Sequence, residues 1–108
     1  MSNSNKGIPN DELIYSLLEH YQNGRLGDAE KQAVEITRDF PKHEFAWKVL
    51  GVIFEATGRK SEALNANQTA IKLSPQDAEA HNNLGNILKE LGRLDEAQAS
   101  YDLSLIHI

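Results

Sequence analysis

The sequence contains no cysteine, which excludes disulfide bonds, thiolate nucleophiles and cysteine-ligated zinc. It is poor in aromatic residues, which make up 6% of the chain, and in basic residues, with 11 Lys and Arg against 16 Asp and Glu. The formal net charge of -5 disfavours nucleic acid and anionic membranes as partners. The polar N-terminus has no apolar run of the kind that a secretory signal or membrane anchor needs, so we expect a cytoplasmic protein with a disordered tail over residues 1–9.

Motifs for catalysis or cofactor binding are scarce as well. The four histidines, His20, His43, His81 and His107, form no H-x-x-x-H pair and no H-E-x-x-H motif, so we expect them to have structural or surface roles. No glycine-rich phosphate loop is present, and the glycosylation sequon at Asn67 lies on a predicted helix. We therefore predict no catalytic residue, no metal site and no cofactor.

The dominant feature of the sequence is a repeat with a period of 34 residues. Shifting the chain by this offset superposes glycines, the arginines that follow them, alanines, prolines and leucines without any slip. The superposed sets are Gly24, Gly58 and Gly92; Arg25, Arg59 and Arg93; Ala29, Ala63 and Ala97; Pro41 and Pro75; and Leu50 and Leu84. A period in this range indicates a stack of similar structural units.

Each unit has the pattern of a helical hairpin, with apolar residues at helical spacing in two blocks on either side of a Gly-Arg step. A glycine such as Gly58 suits the left-handed cap at the end of the first helix. We predict Ser61 and Asp95 as N-caps of second helices. Prolines such as Pro75 are expected to stop the second helix and to occupy the first turn of the next one.

These residues resemble the tetratricopeptide repeat, whose pattern is W-x2-L-G-x2-Y…A-x3-F…P. The first repeat is the loosest, with Leu13 at the tryptophan position and Leu17 where a small residue normally allows close helix packing, and Asn67 departs from the pattern at the phenylalanine position of the second. The resemblance implies an all-α, right-handed solenoid of about three hairpins, over residues 10–43 (divergent), 44–77 and 78–108 (truncated). The matching residues are Trp47, Leu50, Gly51, Phe54, Ala63 and Pro75 in the second repeat, and Leu84, Gly85, Ala97 and Tyr101 in the third.

In repeats of this type the first helices line a concave surface, which would hold a protein or peptide partner. Amide side chains there, such as Asn83 and Asn86, could pair with the backbone of an extended peptide, since each offers a donor and an acceptor. The polar residues of second helices, such as Glu30, Lys31 and Glu35, are expected to form a solvated convex face. The candidate peptide-binding residues are Tyr15, Tyr21, Lys48, Val52, Glu55, Asn82, Asn83, Asn86 and Lys89.

The segment 80–86 resembles the repeats of protein O-GlcNAc transferases, and this resemblance implies that Asn83 belongs to an asparagine ladder that grips substrate backbone. The equivalent residues in the first two units are Tyr15 and Val49. Three functions remain open: a peptide-binding scaffold, a substrate-recruiting fragment of a larger glycosyltransferase or other transferase, and a structural spacer or oligomerisation element.

The last residues, 103–108, can be encoded by CTG TCT CTT ATA CAC ATC, which resembles the end of a transposase-based sequencing adapter. We therefore expect a fragment whose coding frame is interrupted near Asp102. A stack that stops at its third repeat should expose apolar surface around Leu94, Tyr101 and Leu105, which favours marginal stability or self-association.

Overall fold

The structure is a computed structural model that describes the backbone of residues 11–106 and the side chains of residues 12–104. The predicted tail and His107 lie outside the described residues. Between residues 11 and 106 the chain forms helices and short turns without any strand, which confirms the predicted all-α fold. The helices are α1 (Asp11–Gln22), α2 (Leu26–Asp39), α3 (Glu44–Ala56), α4 (Lys60–Leu73), α5 (Ala78–Glu90) and α6 (Leu94–Ile106).

The turn within each hairpin is built on the repeated glycine. Gly58 has a φ of 81°, its N–H donates to the Glu55 carbonyl at 3.1 Å, and the N–H of Arg59 donates to the Phe54 carbonyl at 2.8 Å. This pair of bonds is the Schellman motif, which ends a helix with a residue in the left-handed conformation. The same pair occurs at Gly24 and Gly92, so the predicted helix ends are confirmed.

The predicted N-caps of the second helices were wrong. Helix α4 begins at Lys60 and α6 begins at Leu94, so Ser61 and Asp95 are already the second residues of their helices. Arg59 is the N-cap of α4, and its carbonyl accepts the N–H of Ala63 at 2.9 Å. The same arginine both closes the Schellman motif and starts the next helix, so the turn is too short for a separate capping residue.

The joints between hairpins are longer and use side-chain caps. His43 caps α3 by accepting the N–H of Ala46 at 3.3 Å, and Asp77 caps α5. Pro41 and Pro75 follow the ends of α2 and α4, as predicted for helix stops. They lie in the turns before the caps, so the expectation that they occupy the first turn of the next helix was wrong.

The side chain at the tryptophan position of the repeat contacts a proline carbonyl in two hairpins. The sequence did not predict this contact. The Trp47 Nε1–H donates to the Pro41 carbonyl at 2.8 Å, and the His81 Nε2 lies 2.7 Å from the Pro75 carbonyl. Both pairs are related by the 34-residue period. The structural role expected for His81 is confirmed, and His20 likewise accepts a bond from Arg25 Nε at 3.1 Å.

The helices stack in chain order, each packing against the one before and the one after, and α3 also contacts α5. The resulting solenoid measures 49 × 26 × 20 Å. Leu17, Ile36, Ile53 and Ile87, from four different helices, are almost completely buried in it. Close approaches between backbones are fewer for α1 and α2 than for α3 and α4, as expected from the bulk of Leu17.

Polar contacts also join neighbouring hairpins. Asn67 is 1% exposed, and its Nδ2 donates to the Ala80 carbonyl of α5 at 2.9 Å. Because Asn67 is buried, the sequon is inaccessible to glycosylation in the folded chain. Arg59 forms a two-pronged ion pair with Glu30 of α2. Glu30, predicted to belong to a solvated convex face, is instead partly buried and joins two hairpins.

Candidate peptide-binding groove

A largely apolar groove with a volume of about 200 Å³ crosses the first helices of all three hairpins. Each of its α3 residues lies three or four positions from two of the others, and this spacing places them on one face of the helix. We call this feature the groove throughout. It is lined by Leu18 and Tyr21 of α1; Phe45, Lys48, Val49 and Val52 of α3; and Glu79 and Asn83 of α5.

The apolar side chains of the groove are anchored in the core beneath it. Val49 is 8% exposed and belongs to the core cluster, while Tyr21 and Phe45 are half-buried and pack against that cluster. Because the core fixes these side chains, the groove is already formed in the free chain. A preformed apolar site binds a ligand without first having to order its own side chains.

Lys48 lies at the α5 side of the groove, and two carboxylates hold it there. Its Nζ is 2.8 Å from Asp77 Oδ2 and 2.7 Å from Glu79 Oε1. Burial acts to lower the pKa of Lys48, but the hydrogen bonds to Asp77 and Glu79 outweigh it and raise the pKa. The ammonium group therefore stays charged and is neutralised locally.

Glu44, at the start of α3, is the unusual acid of this network. Burial raises its pKa to about 7, and a hydrogen bond to Asp77 acts in the same direction. Burial opposes the ionisation of Asp77, but hydrogen bonds from Lys48, Glu44 and the Ala80 N–H lower its pKa to about 2. Glu44 can donate this hydrogen bond to the Asp77 carboxylate only in its protonated form.

A second pair of acids lies at the other end of α3. Burial raises the pKa of Glu55, and the charge of Glu90 on α5 together with a hydrogen bond between the two carboxyl groups raises it further, although Lys60 acts in the opposite direction. Since Lys48, Val52 and Glu55 follow one another at helical spacing, Glu55 extends the stripe of α3 that lines the groove.

The groove brings together part of the predicted binding set. Tyr21, Lys48, Val52 and Asn83 line it together. The O-GlcNAc-transferase resemblance singled out Asn83, and its equivalent Val49 also lies there.

The remaining predicted residues lie elsewhere. Tyr15 is 68% exposed and lies outside the groove lining, as do the exposed Asn82 and Lys89. Asn86 accepts a hydrogen bond from the Tyr101 hydroxyl at 2.5 Å, which turns its carboxamide towards α6.

Four lining residues are absent from the predicted binding set: Leu18, Val49, Phe45 and Glu79. Phe45 and Glu79 both occupy the second position of their repeat, 34 residues apart. Since Phe45 lies on the same helical face as Lys48 and Val52, the period and the spacing together could have identified both residues.

Comparison with known proteins agrees with this architecture. A family model described as TPR repeat matches residues 51–92, and one described as tetratricopeptide repeat matches residues 78–107. Together the two matches span more than half of the chain. The chain belongs to the tetratricopeptide-repeat family, and its repeats resemble those of O-GlcNAc transferases.

The latter resemblance is seen in the UDP-N-acetylglucosamine–peptide N-acetylglucosaminyltransferase of Caenorhabditis elegans, which is 34% identical over 77 residues. The match covers 71% of this chain but only 7% of that enzyme.

Solved structures share the fold at lower identity. The Yersinia enterocolitica type III secretion chaperone SycD, solved in complex with a peptide of the translocator YopD, superposes with a TM-score of 0.87 at 19% identity, covering 91% of this chain and 75% of that one. A MamA structure superposes with a TM-score of 0.82 at 20% identity, covering 88% of this chain and 55% of that one.

Membrane-crossing helices and metal centres are absent from the part of the chain that the structure describes. No helix within residues 11–106 combines the length and the apolar character needed to cross a lipid bilayer. Within the same stretch, no three acidic or histidine side chains come together in an arrangement that could hold a metal ion.

Proposed function

We propose that this chain is a protein-interaction scaffold that binds a peptide segment of another protein in the groove, without covalent chemistry. The observation that carries the proposal is a preformed apolar groove shared by the first helices of three stacked hairpins. A concave surface of this kind is where solenoids bind extended partners. That SycD, a protein of the same fold, was solved with a bound peptide supports the proposal.

Different lining residues would contact different parts of the partner peptide. Tyr21, Val49 and Val52 offer a dry surface to one apolar side chain of the partner. Burying a leucine side chain there contributes about 1.5–3 kcal/mol. The Asn83 carboxamide can both donate to and accept from the partner's backbone, which supplies affinity that is independent of the partner's sequence.

The test uses a library of random ten-residue peptides displayed on phage and selected on the purified chain. Enriched peptides are then titrated by calorimetry into the wild type, Val52→Gln and Val34→Gln. Val34 is 42% exposed on α2, so it provides a matched control outside the groove. We expect Val52→Gln to weaken binding by about tenfold or more, since it places a polar amide on the apolar floor, and Val34→Gln to leave it unchanged.

Equal affinities for the two variants would contradict binding in the groove. If the selection enriches no peptide, the chain acts as a spacer or an oligomerisation element instead.

A second candidate function is substrate recruitment for a transferase encoded further along the same gene. The observation that favours it is the 34% identity to the C. elegans transferase. The full-length gene provides the test. A transferase domain downstream would support this function, and deletion of the repeats should then reduce transfer to protein substrates while leaving hydrolysis of the nucleotide sugar intact. A gene that continues without such a domain would eliminate this candidate.

A further inference from the structure

Two carboxylates share one lysine at the wall of the groove that α5 forms. Asp77 and Glu79 both pair with Lys48, and Lys48 and Glu79 line the groove.

Lys48, the lysine that lines the groove, offers little attraction to an incoming anion. Lys48 is only 15% exposed at its side chain and is already paired with Asp77 and Glu79. Glu79, in contrast, keeps 70% of its side chain exposed and lines the groove next to Asn83. One lysine shared by two carboxylates leaves net negative charge at this wall, and that charge attracts cations and repels anions.

We propose that the groove selects a peptide in which an apolar side chain lies one or two positions from a lysine or arginine. The inference rests on the proposed function and adds the chemistry of the partner. The apolar floor and Glu79 line the same small cavity, and an extended peptide advances about 3.3 Å per residue. Neighbouring side chains of one peptide can therefore reach both.

The experiment first determines the charge of the peptides that the phage selection enriches. It then measures how a single charge changes the affinity. A peptide with a lysine beside its apolar anchor is compared with the same peptide carrying glutamine in place of that lysine. Both are titrated by calorimetry, at low and at high salt, into the wild type, Glu79→Gln and Glu35→Gln. Glu35 is an exposed glutamate of α2, so Glu35→Gln removes the same charge away from the groove.

We expect basic residues to be enriched next to apolar ones. Replacing the peptide lysine by glutamine should weaken binding to the wild type about threefold to tenfold at low salt, and less at high salt. This difference should fall below about twofold in Glu79→Gln and persist in Glu35→Gln. The Asp77 carboxylate still holds Lys48 in the Glu79 variant, so the groove keeps its shape.

The outcomes separate the two proposals. Acidic or uncharged peptides that lose affinity in Val52→Gln would overturn the charge preference and leave groove binding intact. Basic peptides with equal affinity for Glu79→Gln and the wild type would also overturn it. A selection that yields no groove-binding peptide would overturn both.

Discussion

Residues at the same repeat position can have different neighbours in different copies. Gly51 and Gly85, at the position that allows close helix packing, show this difference. A Cβ on Gly51 would lie 3.5 Å or more from its nearest neighbours, which is ordinary contact. A Cβ on Gly85 would lie 2.6 Å from Cε1 and 2.8 Å from Cδ1 of the Tyr101 ring. Glycine is therefore sterically required at this repeat position only where the Tyr101 ring is its neighbour.

Gly85→Ala should lower the free energy of unfolding by about 1–3 kcal/mol because the new methyl group displaces the Tyr101 ring. Gly51→Ala, the matched control, should leave stability unchanged or raise it by up to about 1 kcal/mol, since alanine is the better helix former. Urea denaturation measures both. In a Tyr101→Ala background the cost of Gly85→Ala should disappear, and its persistence would show that the ring is not the cause.

Glu44 makes stability depend on pH near neutrality. Its pKa rises from 4.5 to about 7 on folding, so its stabilising contribution is full below pH 4.5 and is lost as the pH rises through 7. Asp77 behaves in the opposite way: its pKa falls from 3.8 to about 2, so its contribution is present above pH 3.8 and is lost as the pH falls towards 2.

Glu44→Gln, which keeps a donor for Asp77 without the charge, should therefore abolish the decline in stability between pH 4.5 and 7. Relative to the wild type it should gain about 1–2 kcal/mol at pH 8, after allowance for solvent screening. Urea denaturation across this pH range measures the effect. Parallel pH profiles for the wild type and the variant would contradict the account of Glu44.

At the scale of helices, the hairpins are joined by a few specific polar links in addition to apolar packing. The clearest is the bond from the buried Asn67 of α4 to the Ala80 carbonyl of α5. Asn67→Ala should cost about 1–2 kcal/mol, because it removes this bond and leaves a cavity. Asn65→Ala, at an exposed position of the same helix, should change stability by less than about 0.5 kcal/mol. Equal effects in thermal or urea unfolding would mean that Asn67 does not join the hairpins.

The helices themselves could be predicted well from the sequence, because the period and the glycine caps are local signals. The start of α4 could not, since Arg59 is no usual capping residue and acts as the N-cap only because the turn leaves no room for another. The groove was predictable in part: the helical stripe of α3 identified Lys48 and Val52. This stripe did not indicate that Asp77 would neutralise Lys48, because that contact depends on how α5 packs against α3.

Over the whole molecule, the stack leaves apolar side chains of α6 in water. Leu94 is 64% exposed and Leu103 is 41% exposed, while Tyr101 is half-buried and the side chain of Leu105 lies outside the described residues. We predict that the chain self-associates through this helix as its concentration rises.

Sedimentation velocity should show a concentration-dependent increase in mass that Leu94→Lys with Leu103→Lys abolishes. Val34→Lys, a matched change on α2, should leave the association unchanged. A wild-type chain that sediments as a monomer at every concentration would contradict this prediction.

The central claim is that the concave groove holds the partner. Nuclear magnetic resonance of the isotopically labelled chain, titrated with an enriched peptide, tests it most directly. We expect the amide signals of Tyr21, Val49, Val52 and Asn83 to shift together and saturate with one affinity. Shifts confined to α2, α4 and α6, with the signals of these four residues unmoved, would contradict the account.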